Sequence, residues 1–189
     1  MYSSLLRYGA TVPLGLRSEG FFAYNGPVNR VIFLVDGFNL YHSLVQAQED
    51  TDGPCVKWLD LHGLCSSYLH IVGRQADGRV VTEAIHYFSA TPTHRTKGAQ
   101  HRHALYMRCL QSSGIQVHLG RFKKKTVKCG LCHGSSIRYE EKETDVAIAA
   151  QLFEICHANA ANFVVIVTGD TDLAPAVRTC QRLFRDMSI

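Results

Sequence analysis

Two stretches of this chain put carboxylates directly after an apolar run. Val31-Ile-Phe-Leu-Val35 leads into Asp36-Gly37-Phe38-Asn39, and Phe163-Val-Val-Ile-Val167 leads into Thr168-Gly169-Asp170-Thr171-Asp172. A third acid, Asp145, follows the charged run Glu140-Glu141-Lys142-Glu143. Gathered in one crevice, such acids repel one another unless a cation sits among them. Oxygen ligands without Cys or His suit Mg²⁺ or Mn²⁺, and such an ion can activate a water and stabilise charge on a phosphodiester. Gly37 and Gly169, beside the acids, would let backbone approach a ligand closely. Taken singly, Asp36 and Asp172 also fit helix N-caps. An apolar strand ending in acid and glycine, met twice, is what points to a metal or phosphate site.

Other residues carry weaker signals. Cys129-Gly-Leu-Cys132-His133 has the spacing of half a zinc knuckle, with His133, His118 or Cys109 available to complete it. A structural zinc needs four ligands and no second CxxC exists, so a free-thiol loop is the competing reading. Between Ala84 and Tyr139 there is no Asp or Glu, while ten Lys or Arg and six His fall there. Such a basic stretch is either the footprint of a phosphate-binding surface or a solvated positive face. Arg95, Lys97, Arg102, Lys123, Lys124 and Lys125 are its candidate contacts to a nucleic-acid backbone, and such contacts make affinity fall steeply with salt. His94, His101 and His103 read as surface residues. Tyr87 and Phe88 could stack a base but read more simply as core.

The elements that must position these groups alternate. Val31–Val35 reads as a strand buried on both faces, Phe38–Gln46 as a helix, 49–54 as a loop and about 57–71 as a second helix. Arg79–Ala90 is a strand, Lys97–Gln111 a basic helix with an apolar stripe at Ala104, Leu105, Met107, Cys109 and Leu110, and Gly114 stops it. Ile115–Phe122 is a third strand, followed by a basic hairpin-like excursion around Cys129–His133 within 122–138. A helix from Thr144 to about Ala160, the strand Phe163–Val167 and a helix over Asp172–Leu183 complete the order. Strands alternating with helices imply a mainly parallel sheet covered on both faces. Its ligand crevice lies beyond the carboxyl ends of the strands, where the acids fall.

Length and composition set the frame. The chain has 189 residues, 46% hydrophobic and 19% charged, with net charge +4. That fits one globular α/β domain and excludes a wholly disordered or fibrous chain. No run approaches the ~18–20 apolar residues of a membrane span. The start of the chain lacks the pattern of a signal peptide, which implies a cytoplasmic protein. Seven cysteines, an odd number, then read mostly as small buried apolar residues. Residues 1–29 read as a loosely ordered leader and 30–189 as the domain.

A phospho-aspartyl phosphatase would need a second Asp two residues after Asp36, where Phe38 stands; direct hydrolysis by a metal-activated water does not. At these residues the sequence resembles the NYN domains of the PIN-like ribonuclease superfamily, particularly the LabA-like branch. Its members open with an apolar strand ending Asp-Gly-x-Asn, here Asp36-Gly37-Phe38-Asn39. A Lys-x-x-Asp element follows, here Lys142-Glu143-Thr144-Asp145, then a strand ending Ser-Gly-Asp-Ser-Asp-Phe-x-Pro. The counterpart of the last is Thr168-Gly169-Asp170-Thr171-Asp172-Leu173-Ala174-Pro175, with hydroxyls kept at 168 and 171. The resemblance covers roughly residues 30–186. It implies a PIN-like three-layer α/β/α sandwich and a Mg²⁺- or Mn²⁺-dependent endoribonuclease. Asp36, Asp145, Asp170 and Asp172 would be the carried-over ligands, with Asn39 positioning the water or phosphate. Members usually continue into another strand beyond Arg185–Ile189, so the sheet is expected to be short at that edge. The partner implied is RNA, with a homo-oligomer also considered. A non-catalytic RNA-binding module on the same fold is the alternative, and a small-substrate phosphatase a third.

Overall fold

The computed structural model describes residues 26–51, 58–128, 130–131 and 134–189. Cys129, Cys132 and His133, and with them the zinc expectation, lie outside the described residues, as does 1–25 of the expected leader. The first apolar run becomes β1 (Val28–Asp36), followed by α1 (Gly37–Thr51) and α2 (Leu61–Gly73). β2 (Arg79–Thr91), α3 (Lys97–Ser112), β3 (Gln116–Lys128) and β4 (Ser135–Lys142) come next, then α4 (Thr144–His157), β5 (Phe163–Val167) and α5 (Ala174–Leu183). The sheet order is β4-β3-β2-β1-β5. All neighbours are parallel except β3 and β4, so the sheet is mixed and mostly parallel.

Side-chain alternation along β1 builds the three layers. Val31, Phe33 and Val35 face Leu61 and Cys65 of α2 and Met107 and Leu110 of α3. Ile32 and Leu34 face Ile148, Leu152 and Ile155 of α4. With both faces covered, each such side chain contributes roughly 1.5–3 kcal/mol of burial. The expected stripe on α3 is narrower than its sequence implies. Met107 and Leu110 are buried, whereas Ala104, Leu105 and Cys109 are exposed, because an i, i+3 row suffices against the sheet. Cys65, Cys156 and Cys180 are buried free thiols; burial pushes the Cys65 and Cys156 thiols up to about 12.

Several expected boundaries move. β1 starts at Val28, inside the expected leader, because Asn29 Nδ2 donates to the Asp77 carbonyl and Val28 pairs with Arg79. α2 begins at Leu61, after Asp60. α5 begins at Ala174, with Pro175 in its first turn, so Asp172 is not its N-cap. At the outer edge of β5, Ser188 adds a single parallel bridge to Phe163.

The hairpin-like excursion expected within 122–138 is a two-stranded antiparallel ribbon in register from Arg121↔Lys142 to Lys128↔Ser135, with β3 running on beyond its expected end at Phe122. β2 accompanies β3 only as far as Thr91↔Arg121, so the ribbon runs on past the carboxyl edge of the sheet.

Beneath α4, His86 and His118 approach with Nδ1 and Nε2 3.0 Å apart, and the His118 ring stacks on Phe88. Burial, then His118, pushes His86 down from 6.5 to about 4; burial also lowers His118, against an upward pull from Glu154. A histidine harder to protonate folded than unfolded leaves stability complete above its unfolded value. That stability is lost as pH falls through the folded value. The urea midpoint should therefore fall between pH 6.5 and about 4 by an amount equivalent to roughly 1–2 kcal/mol, allowing for screening. A His86→Phe variant that kept the whole of that acid slope would contradict this assignment.

Candidate active site

The acid-bearing turns meet at the carboxyl ends of β1 and β5. Asp36 is buried, and its Oδ1 accepts from the amides of Phe38 (3.1 Å) and Asn39 (3.0 Å). It therefore does cap α1, as its type allows, while its Oδ2 accepts from the Thr168 hydroxyl at 3.2 Å. Thr168 Oγ1 in turn accepts from the Asp170 amide, and Asp170 Oδ1 from the Asp172 amide. Asn39 Oδ1 accepts from the Gly169 amide at 2.8 Å. These bonds tie two turns more than 100 residues apart, with each charge-assisted bond worth roughly 1.5–3 kcal/mol. Asn39 thus serves first as a tie between loops, a role its place in the motif did not announce.

The glycines are spatial requirements here. A Cβ on Gly37 would collide with the Tyr87 ring and come 2.6 Å from the Phe88 carbonyl oxygen. A Cβ on Gly169 would stand 3.0 Å from Asn39 Oδ1. Tyr87 and Phe88 are 5% and 1% exposed, so neither is available to stack a base.

A cleft of about 130 Å³ opens above this knot, lined by Asp36, Phe38, Asn39, Glu141, Glu143, Thr144, Asp145 and Asp170. Asp145 stands in the first turn of α4 and Asp170 in the loop after β5. Burial, then Asp170, Asp36 and Asp172, holds the Asp145 carboxyl above its usual range. Burial also raises Glu141, as do Asp36 and Asp145, while a hydrogen bond from the Thr144 hydroxyl opposes the rise. The expected acids therefore feel one another across one cleft.

They do not form a finished ligand set. Among the described residues, no three His, Cys, Asp or Glu side chains stand close enough to hold a metal ion, and Asp172 is outside the cleft lining. In kind, the donors fit a hard divalent cation, being carboxylate oxygens with Asp145, Asp170 and Asp172 exposed at the rim. Glu141 and Glu143 are cleft residues that the sequence reading passed over. Their signal was the acidic run that ends the acid-free stretch. Glu143 adopts a left-handed conformation (φ 79°), and its carboxylate accepts from Arg121 at 2.7 Å.

Arg95, Lys97, Arg102, Lys123, Lys124 and Lys125 are all exposed, but the three lysines are not one patch. Ribbon alternation puts Lys124 on the face of Phe122, Tyr139 and Glu141, and Lys123 and Lys125 on the other face. There Glu140 pairs with Lys125 (2.7 Å) and Lys142 (3.1 Å), which cancels part of the expected positive field. His103 bonds Ser89 Oγ, and His94 packs among rings, so neither is the plain surface histidine expected.

The NYN domain family model matches residues 30–186, so the chain belongs to the NYN domain family, within the PIN-like nuclease superfamily. Nuclease membership carries RNA as the implied substrate class, and among the described residues no helix is long and apolar enough to cross a membrane. No curated protein and no solved structure matches the chain.

Proposed function

We propose that this NYN-family chain is a divalent-metal-dependent endoribonuclease of the LabA-like branch, acting in the cleft between β1, α4 and β5. One observation carries the reading. Asp36, Asp145 and Asp170, drawn from three distant segments, line a single cleft with Glu141. Within it, burial and then the neighbouring carboxylates hold Asp145 and Glu141 above their ordinary range. A fold gains nothing in stability from crowding like charges, so such an arrangement argues for function.

Asp36, Asp145, Asp170 and Asp172 would hold Mg²⁺ or Mn²⁺, which supplies Lewis-acid activation of water and charge stabilisation on the phosphate. The chain's own part is positioning. Two backbone amides and Thr168 fix Asp36, and Asn39 holds the Gly169 turn so that Asp170 stays at the rim. Asn39 lines the cleft, and its Nδ2 would donate to a ligand oxygen there. Lys124 and Arg95 would hold the strand beside the cleft. The looseness of the carboxylates favours a second reading, a non-catalytic RNA-binding module on the same fold.

Incubating the chain with an internally labelled single-stranded RNA separates the two. Cleavage with Mg²⁺ or Mn²⁺ that stops in EDTA and returns on adding metal supports the nuclease. Binding that persists in EDTA, with no cleavage in either metal, selects the module instead.

A further inference from the structure

A row of rings leads out of the acidic cleft along the β3–β4 ribbon. Phe38 lines the cleft and meets Phe122 at 6.1 Å between ring centroids. Phe122 meets His94 at 4.6 Å, and His94 stacks on Tyr139 at 4.5 Å with the planes 12° apart. Tyr139 and Phe38 are 43% and 41% exposed, so the row is not closed into the core. Its flank is positive: Lys124 lies across the ribbon from Tyr139, and Arg95 follows His94 in the chain.

We propose that this row is a stacking platform for unpaired bases of an RNA strand whose phosphate backbone enters the cleft. The proposal rests on the ribonuclease reading and adds how the substrate is held and which RNA is accepted. Three physical arguments support it. The two exposed rings, Phe38 and Tyr139, offer π-faces on which bases of any identity can stack, with the half-buried Phe122 and His94 holding them in place. Lys124 and Arg95 provide the charge complementarity for the intervening phosphates. With the cation removed the carboxylates repel phosphates, so stacking adds to the flanking Lys124 and Arg95 an attraction that this repulsion does not weaken. A duplex, whose bases are already stacked on one another, cannot use these rings. The platform therefore selects single-stranded RNA.

The test uses the full chain in EDTA, which removes cleavage from the readout. The probes are a single-stranded RNA carrying 2-aminopurine and the same RNA annealed to its complement. The single strand should bind more tightly than the duplex, with quenching of the 2-aminopurine emission. Tyr139→Ala should weaken single-strand binding roughly 5- to 100-fold and abolish the quenching. Tyr139→Phe, which keeps the ring, should retain both. Lys124→Ala should keep the quenching and reduce the salt slope by about one. Unchanged affinity in Tyr139→Ala, or equal binding of duplex and single strand, would overturn the platform. Cleavage by the wild type is scored separately with metal present. A cleaving enzyme indifferent to Tyr139 loses the platform and keeps the nuclease, and a stacking protein that never cleaves does the reverse.

Discussion

Asp145→Asn is expected to lower RNA cleavage by at least about a hundredfold while making the protein slightly more stable. The carboxylate faces Asp36, Asp170 and Asp172, and neither its burial nor those neighbours favour its charge. An acid whose folded value lies above its unfolded one costs stability once pH exceeds the unfolded value. The cost disappears as pH falls below it. At neutral pH the neutral amide removes that cost, worth roughly 0.5 kcal/mol for a side chain exposed at the rim. For a chain of this size that corresponds to a rise in Tm of about 1–2 °C. The two measurements point in opposite directions, which separates loss of a working group from loss of the fold. A fall in Tm together with full activity would mean that Asp145 is an ordinary structural residue and that the cleft does no chemistry. The same logic makes added Mg²⁺ raise the wild-type Tm more than that of the variant.

Gly37→Ala is expected to cost a large share of the fold's stability. The new Cβ would meet the Tyr87 ring and, at 2.6 Å, the Phe88 carbonyl oxygen. Tyr87 is itself buried and lies against Tyr106 (ring centroids 6.1 Å), so the ring cannot swing aside without opening the α2–α3 face of the core. Overpacking against backbone in such a place costs about 3 kcal/mol or more, a drop of about 6–12 °C in Tm. Thermal unfolding by circular dichroism measures it, with Gly169→Ala as the milder companion, because its nearest neighbour is the end of the Asn39 side chain at 3.0 Å. Equal Tm values for the two variants would show that α1 does not start against β2 as described.

Much of this protein was written in local patterns. The five-residue apolar runs before Asp36 and Thr168 could only be strands covered on both faces. Alternation with amphipathic helices makes the sheet mainly parallel, and that topology by itself carries Asp36 and Asp170 to one edge. The lysine run Lys123–Lys125 is split between two surfaces because a strand sends neighbours to opposite faces. Nothing in the run itself distinguishes a strand from a loop until β4 pairs with it.

What the chain determines alone is therefore which acids are present and which end of the sheet they reach, since a buried apolar strand and the residue that ends it are adjacent in sequence. Tertiary structure decided the rest: that Asn39 binds the Gly169 amide, that Glu141 joins the cleft in place of Asp172, and that Phe38, Phe122, His94 and Tyr139 form one row. Each of these depends on a distance between segments remote along the chain. Such distances are set by how two faces pack together, which no run of neighbouring residues encodes.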